Sequence, residues 1–170
     1  ANMRELCRRF PQAAPARCLD EVLADPAIKL VAAAAIPAER CALGVRVMDA
    51  GKDYFTDKAP LTSLEQLAAA KEAVKRTGKK YMVYYSERLR YECAAAAEAL
   101  VNAGAIGRVV QVTGFGPHRL NAPTRPGWFF EKSRYGGILC DIGSHQIEQF
   151  LWFTGAKAAR VSCAHVANLN

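Results

Sequence analysis

The sequence predicts an α/β fold in which a small parallel sheet is followed by the start of an α+β unit. Between residues 28 and 85 three strand-like runs, IKLVAAAAI, KDYFT and KYMVYY, alternate with helical segments. That rhythm predicts right-handed crossovers and a parallel sheet. After Gly104 the pattern changes to a strand, a proline-containing loop, an apolar helix and a last strand, an order that leans towards antiparallel pairing. A domain boundary is therefore expected near 104, with residues 1–104 forming the parallel-sheet domain and 105–170 opening the second.

Each element has its own signals. Residues 1–10 read as a helix that ends before PQAAP, and CLDEVLADP as a second helix stopped by Pro26. The almost unbroken apolar run at 28–36 suits a parallel strand buried on both faces. Residues 38–50 form the next helix, closed by Gly51, and KDYFT the second strand, with DKAPLTS as the loop at its carboxyl end. Thr62 and Glu65 have the spacing of a capping box for a helix whose apolar face runs through Leu64, Leu67, Ala68 and Val74 to Gly78. KYMVYY is the third strand, and residues 91–103 form a helix that ends at Gly104. IGRVVQVTGF then carries strand alternation after Gly107, a loop follows with Pro117, Pro123 and Pro126, and ARVSCAHV is the final strand.

Composition narrows the function classes. With 170 residues, 51% of them hydrophobic, the chain has ample material for a core. No apolar run approaches the roughly 20 residues that span a bilayer, and the opening ANMRELCRRF lacks the apolar centre of a signal peptide, so a soluble, cytoplasmic protein with no membrane partner is expected. The six cysteines are far apart with no C-x-x-C pair, as reduced, packed thiols are. A net charge of +7 raises nucleic acid as a partner. The densest basic cluster, KRTGKK at 75–80, instead closes a helix, where cations complement the dipole, and no aromatic residues interleave with it. No nucleic-acid partner is expected.

The segment YGGILCDIGSHQIEQFLWF, residues 135–153, has the apolar spacing of a buried helix yet carries Asp141 and His145 four residues apart. At that spacing both fall on one face and can act on a single bound molecule. The glycines at 136, 137 and 143 would let backbone approach a ligand closely. On the residues alone, His145 could be a satisfied core histidine, Asp141 a cap, and Lys58 a loop cation with Asp57 as its partner. A metal site using Asp141 and His145 with Cys140 or His118 is a further alternative, although no tight Cys/His spacing supports one. In open parallel sheets ligands bind beyond the carboxyl ends of the strands, where the Lys58 loop and residues 86–88 should lie.

Three segments together resemble the Gfo/Idh/MocA oxidoreductases. AGKDYFTDKAPLTSLEQL is similar to the family's A-G-K-H-V-x-x-E-K-P-L-x-x-x-x-E-x-x, GAIGRVVQV to its domain-crossing strand, and GGILCDIGSHQIEQFLWFTG to its G-G-G-x-L-x-D-x-G-x-H-x-x-D helix. The resemblance implies a Rossmann-like first domain and dehydrogenation of a sugar, polyol or cyclitol by NAD or NADP, with no metal. It matches Lys58, Asp141 and His145 to the family's catalytic lysine, aspartate and histidine. Ile36, Pro37 and Glu39 occupy a turn similar to its T-P-N loop beside the dinucleotide, and Asp57 and Lys58 a second cofactor turn. YYSERLR resembles Y-N-R-R-F and sets Arg88 near cofactor or substrate, while Trp128 resembles a tryptophan that packs near the nicotinamide. A homo-oligomer, dimer or tetramer, is implied as well.

The chemistry fits these residue types. Hydride leaves a carbinol carbon as the hydroxyl proton is removed, and an imidazole accepts a proton at neutral pH. An ammonium beside the reacting oxygen favours the developing alkoxide. Two departures from the pattern stand out: Asp57-Lys58-Ala59-Pro60 is one residue longer than Glu-Lys-Pro, and Glu148 stands where aspartate is usual. The G-x-G-x-x-G fingerprint and its distal acid occur nowhere, and GFGPH at 114–118 does not open a helix. The expectation is therefore a piece of a longer enzyme, with a non-catalytic remnant of the fold as the alternative.

Overall fold

The structure, a computed structural model, describes residues 3–167. After two short helices, α1 (Met3–Arg9) and α2 (Leu19–Ala24), the strands β1 (Leu30–Ala33), β2 (Asp53–Asp57) and β3 (Tyr81–Tyr84) pair in parallel in the order β1-β2-β3. Val31 stands beside Tyr54, and Phe55 beside Met82. The crossovers are α3 (Pro37–Asp49) and α4 (Leu64–Thr77). β2 shows the two-residue period of a strand with one covered face: Tyr54 and Thr56 are fully buried, and Asp53, Phe55 and Asp57 are not. Val47 and Met48 of α3 and Ala73 of α4 close over Tyr54 to make the core.

The opposite face of the sheet is bare among the described residues. Leu30 is exposed, and Phe55, Tyr84 and the alanines at 32–34 line an open groove. This corrects the expectation that β1 is buried on both faces, because a parallel strand is so buried only when helices cover both sides of its sheet. β1 is also shorter than 28–36, ending at Ala33 where its register with Thr56 ends. The buried Lys52 ammonium anchors α2 to the sheet, donating to Asp25 O at 2.6 Å and Ile28 O at 2.9 Å.

The cap of α4 lies one residue later than expected. Ser63, whose backbone is extended, accepts from Gln66 N, and Gln66 Oε1 reaches back to Thr62 N at 2.8 Å. Beyond β3 come a single turn, α5 (Ser86–Leu89), and α6 (Glu92–Asn102). The loop at 117–134 holds two 3-10 turns and leads to α7 (Lys132–Tyr135). The expected helix at 135–153 is a π-helical turn, Leu139–Gly143, running into α8 (Ser144–Thr154).

The two expected strands at 108–115 and 159–166 do not form; both segments are irregular and flank α8 around a groove of about 360 Å³. Alternation marks a segment able to pair, whereas a strand forms only with a neighbour on its edge. Among the described residues no helix is long and apolar enough to cross a membrane.

Gly44 is where α3 meets the sheet: a Cβ there would lie 2.6 Å from both the Tyr54 and Tyr81 rings, which pack edge-on with centroids 5.0 Å apart. Gly44→Ala is expected to destabilise the chain by about 1–3 kcal/mol through overpacking. A lowered urea midpoint with an unchanged m-value would show it.

Candidate active site

Lys58 follows the last residue of β2 and points at the π-helical turn. Its Nζ donates to Asp141 Oδ1 at 2.5 Å and to Asp141 O at 2.9 Å, and the two side chains are 17% and 12% exposed. Asp57 is not the ammonium's partner: its Oδ1 accepts from Lys58 N at 2.9 Å. A short carboxylate caps the next residue's amide more readily than it follows a long side chain away from the backbone. The Lys58–Ala59 peptide bond is cis, and the additional Ala59 is buried.

The turn itself is held by groups that sequence reasoning missed. Arg40, buried in the first turn of α3, donates to Ala35 O and to the carbonyls of Asp57, Lys58 and Ala59. Tyr81 Oη donates to Pro60 O at 3.1 Å. No local pattern marks an arginine of α3 as a partner of residues 17 to 19 positions on.

Asp141 and His145 lie on the same side of the π turn and α8, and both are buried. His145 meets the Tyr85 ring edge-on at 5.9 Å, and its Nδ1 is buried with no hydrogen-bond partner among the described residues. Asp141 therefore serves Lys58 and does not orient the imidazole. Burial pushes the His145 pKa below the ordinary histidine value. The charge of Glu87 opposes this shift, that of Lys58 adds to it, and Asp57 and His118 contribute in opposite senses. The imidazole is neutral at neutral pH.

The flanking contacts come from α5. Glu87 accepts from Gln146 and Gln149 of α8 at 3.4 and 3.3 Å and meets His118 Nε2 at 3.1 Å. Arg88 donates to Glu148 Oε1 at 2.6 Å and lies 3.8 Å over the Trp152 ring. An arginine fork finds a carboxylate and an aromatic face on the same helix, and the Arg88 and Glu148 side chains are nearly buried.

Ile36 and Pro37 begin α3 at the carboxyl end of β1, as expected. Glu39 is exposed and pairs with Arg134 at 3.7 Å, and Trp128 packs against Phe129, which stacks on Tyr135. The alternative metal site is not assembled: among the described residues no three His, Cys, Asp or Glu side chains converge on one point, and the Asp141 carboxylate already holds an ammonium.

The profile of the GFO/IDH/MocA C-terminal domain matches residues 94–170. The chain is 32% identical to the scyllo-inositol 2-dehydrogenase (NAD(+)) of Bacillus subtilis (strain 168) over 142 residues, covering 84% of this chain and 40% of the relative. A protein of Erwinia carotovora atroseptica SCRI1043, provisionally named an oxidoreductase, is 50% identical with a TM-score of 0.85, over 91% of this chain and 46% of that one. Levoglucosan dehydrogenase in complex with NADH and levoglucosan is 29% identical with a TM-score of 0.77, over 89% and 42% of the two chains. The parallel sheet is thus Rossmann-like, and in sequence and fold the chain is similar to oxidoreductases of the Gfo/Idh/MocA family, whose C-terminal domain model its residues 94–170 match. It spans 38% to 40% of the length of the curated relatives it matches.

A buried histidine with a depressed pKa binds fewer protons in the folded state than in the unfolded one just below pH 6.5, the ordinary value. Its contribution to stability is complete above that pH and is lost as pH falls through the lower, folded value. Urea unfolding should show stability falling below pH 6.5 in the unaltered chain and a flatter dependence in His145→Gln. Parallel slopes in the two proteins would contradict a neutral buried imidazole.

Proposed function

We propose that this protein works as an NAD(P)-dependent oxidoreductase on a hydroxyl or carbonyl of a sugar, polyol or cyclitol, with Lys58, Asp141 and His145 as its catalytic group. The observation that carries this is the Lys58–Asp141 pair set beside a buried His145 at the carboxyl end of a parallel sheet. Support comes from the relatives, one named scyllo-inositol 2-dehydrogenase (NAD(+)) and one seen with NADH and levoglucosan.

The strand-end groove fits the nicotinamide side of a dinucleotide. It is a space of about 260 Å³ floored by Ala32, Ala33 and Ala34 and walled by Phe55, Asp57 and Tyr84, where small side chains leave the backbone open to close approach by a flat ring and its ribose. The turns at Ile36–Pro37 and Asp57–Lys58 would flank it. A bound nicotinamide supplies the hydride acceptor or donor.

The chain's own residues handle the proton and the charge. The neutral imidazole of His145 takes the hydroxyl proton of an alcohol, or returns it to a carbonyl oxygen in the reverse direction. Lys58 keeps a positive charge beside the oxygen that becomes alkoxide-like. Asp141 fixes that ammonium, so that it need not reorganise as charge develops. On the same reading the domain boundary lies near 104, and the bare flank of α8 with its two irregular segments is where a dimer or tetramer would pack. The cysteines, all free, suit a reducing cytoplasm.

In the protein at its natural length, His145→Ala is expected to lower turnover by at least about a hundredfold, with NADH affinity, read by fluorescence titration, retained. Undiminished turnover would remove His145 as the base. Failure of the unaltered protein to bind either nicotinamide dinucleotide would favour a non-catalytic member of the fold.

A further inference from the structure

We propose that Arg40 is the positioning residue of the Lys58 turn: its buried guanidinium locks the ends of β1 and β2 into one frame and so aims the ammonium at Asp141. Arg40 is 5% exposed. Nε donates to Ala35 O at 2.7 Å, two residues before α3, and Nη1 donates to Asp57 O at 3.1 Å, Ala59 O at 3.0 Å and Lys58 O. All four acceptors are main-chain carbonyls, and three belong to consecutive residues centred on Lys58.

Those carbonyls need an outside donor. The β2–β3 register ends at Asp57 opposite Tyr84, so the chain beyond it leaves the ladder while Ala59 is still buried. A buried carbonyl without a partner is costly, and a planar guanidinium is the side chain whose fixed donors reach several at once. A lysine at position 40 would offer one point charge.

The rest of the turn is held separately. Tyr81 holds Pro60, and Gln66 holds Thr62 N while its Nε2 donates to Ala38 O at 2.9 Å. Arg40 thus governs the three peptide units around the Lys58 Cα, and the reach of Nζ to Asp141 follows from where that Cα sits. The carboxylates of Asp57 and Asp141 lie near enough to favour its charge, which offsets part of the cost of burying it.

The test reads the ammonium directly. Trace acetylation by acetic anhydride, quantified peptide by peptide, compares the unaltered chain with Arg40→Met and Arg40→Lys. Lys52 is the internal control, since its buried Nζ is held by α2 and the turn before β1, away from this network. Arg40→Met is expected to raise Lys58 acetylation about tenfold, the equivalent of losing one or two hydrogen bonds that aim it, with Lys52 unchanged. Arg40→Lys, which keeps the charge, should raise it less.

Unchanged Lys58 labelling in either variant would overturn the proposal. Should Arg40→Met raise Lys52 and Lys58 together by loosening the whole fold, Arg40→Lys decides: a rise at Lys58 alone supports positioning, and a joint rise overturns it. The kinetic consequence rests on the catalytic reading of Lys58. In the natural-length enzyme Arg40→Lys should lower kcat while the KM for the nicotinamide is kept, with no further loss when combined with Lys58→Met. If Lys58→Met leaves turnover intact, the catalytic reading fails, and the labelling result still settles what Arg40 does.

Discussion

The ion pair between Lys58 and Asp141 joins the end of the parallel sheet to a helical turn 83 residues further along the chain, and the candidate site is assembled around that joint. Taking two charges out of water is costly, and a pair of this kind is tolerable only when geometry and additional hydrogen bonds offset the lost solvation. Here one ammonium meets both a carboxylate oxygen and the main-chain carbonyl of the same aspartate. Removing either partner would leave a charge stranded in a nearly closed site. The sheet end and the π-helical turn therefore adopt this arrangement together, and the joint acts on specificity of structure more than on net stability.

The wider turn explains how Asp141 can serve Lys58 twice. In an α-helix the carbonyl of each residue is engaged four residues on, and a side chain from outside the helix competes for it poorly. Over Leu139–Gly143 the backbone opens to the looser π form, which is commonly found where function requires a local departure from the regular ladder. Asp141 O accepts from Lys58 Nζ and also, at 3.3 Å, from the Ser144 hydroxyl. The glycines before it allow the approach: Gly136 has a φ of 86°, and a Cβ there would lie 2.8 Å from the Thr62 methyl. The same residue thus ends α7 and lets the turn close against the loop that follows Lys58.

What could be seen in the sequence divides along locality. The three strands, α3, α4 and the glycine stops at 51, 78 and 104 were legible because apolar period and capping chemistry act within a few residues. Asp141 and His145 were legible as a pair through their spacing. The expected strands at 108–115 and 159–166 were not to be had from alternation, since pairing is a property of two segments and among the described residues no neighbour is paired with either. Lys58 shows the same limit in one side chain: the adjacent Asp57 was the natural partner on local grounds, yet its carboxylate turns to the amide and the ammonium finds an aspartate far along the chain. Arg40 was invisible for this reason, and Glu87, although inside the 86–88 segment expected at the strand ends, gave no sign of its role. Each does its work through partners on other elements.

His145 shows what such assembly achieves chemically on the proposed reading. A base in a hydride-transfer enzyme must be empty before the reaction and able to hold a proton during it, and a single uniform environment serves one need at the expense of the other. Burial and the nearby Lys58 charge satisfy the first by disfavouring the imidazolium. Glu87 satisfies the second, because its charge is the largest influence opposing that shift, and its carboxylate is kept in place by Gln146, Gln149 and His118. A fixed carboxylate near, but not bonded to, the imidazole stabilises the protonated form without a cost of reorganisation when the proton arrives. The side chains that tune the base are thus the ones that tie α5 and the 114–118 segment to α8, so the packing of this part of the fold and the proton affinity of its histidine are set by the same contacts.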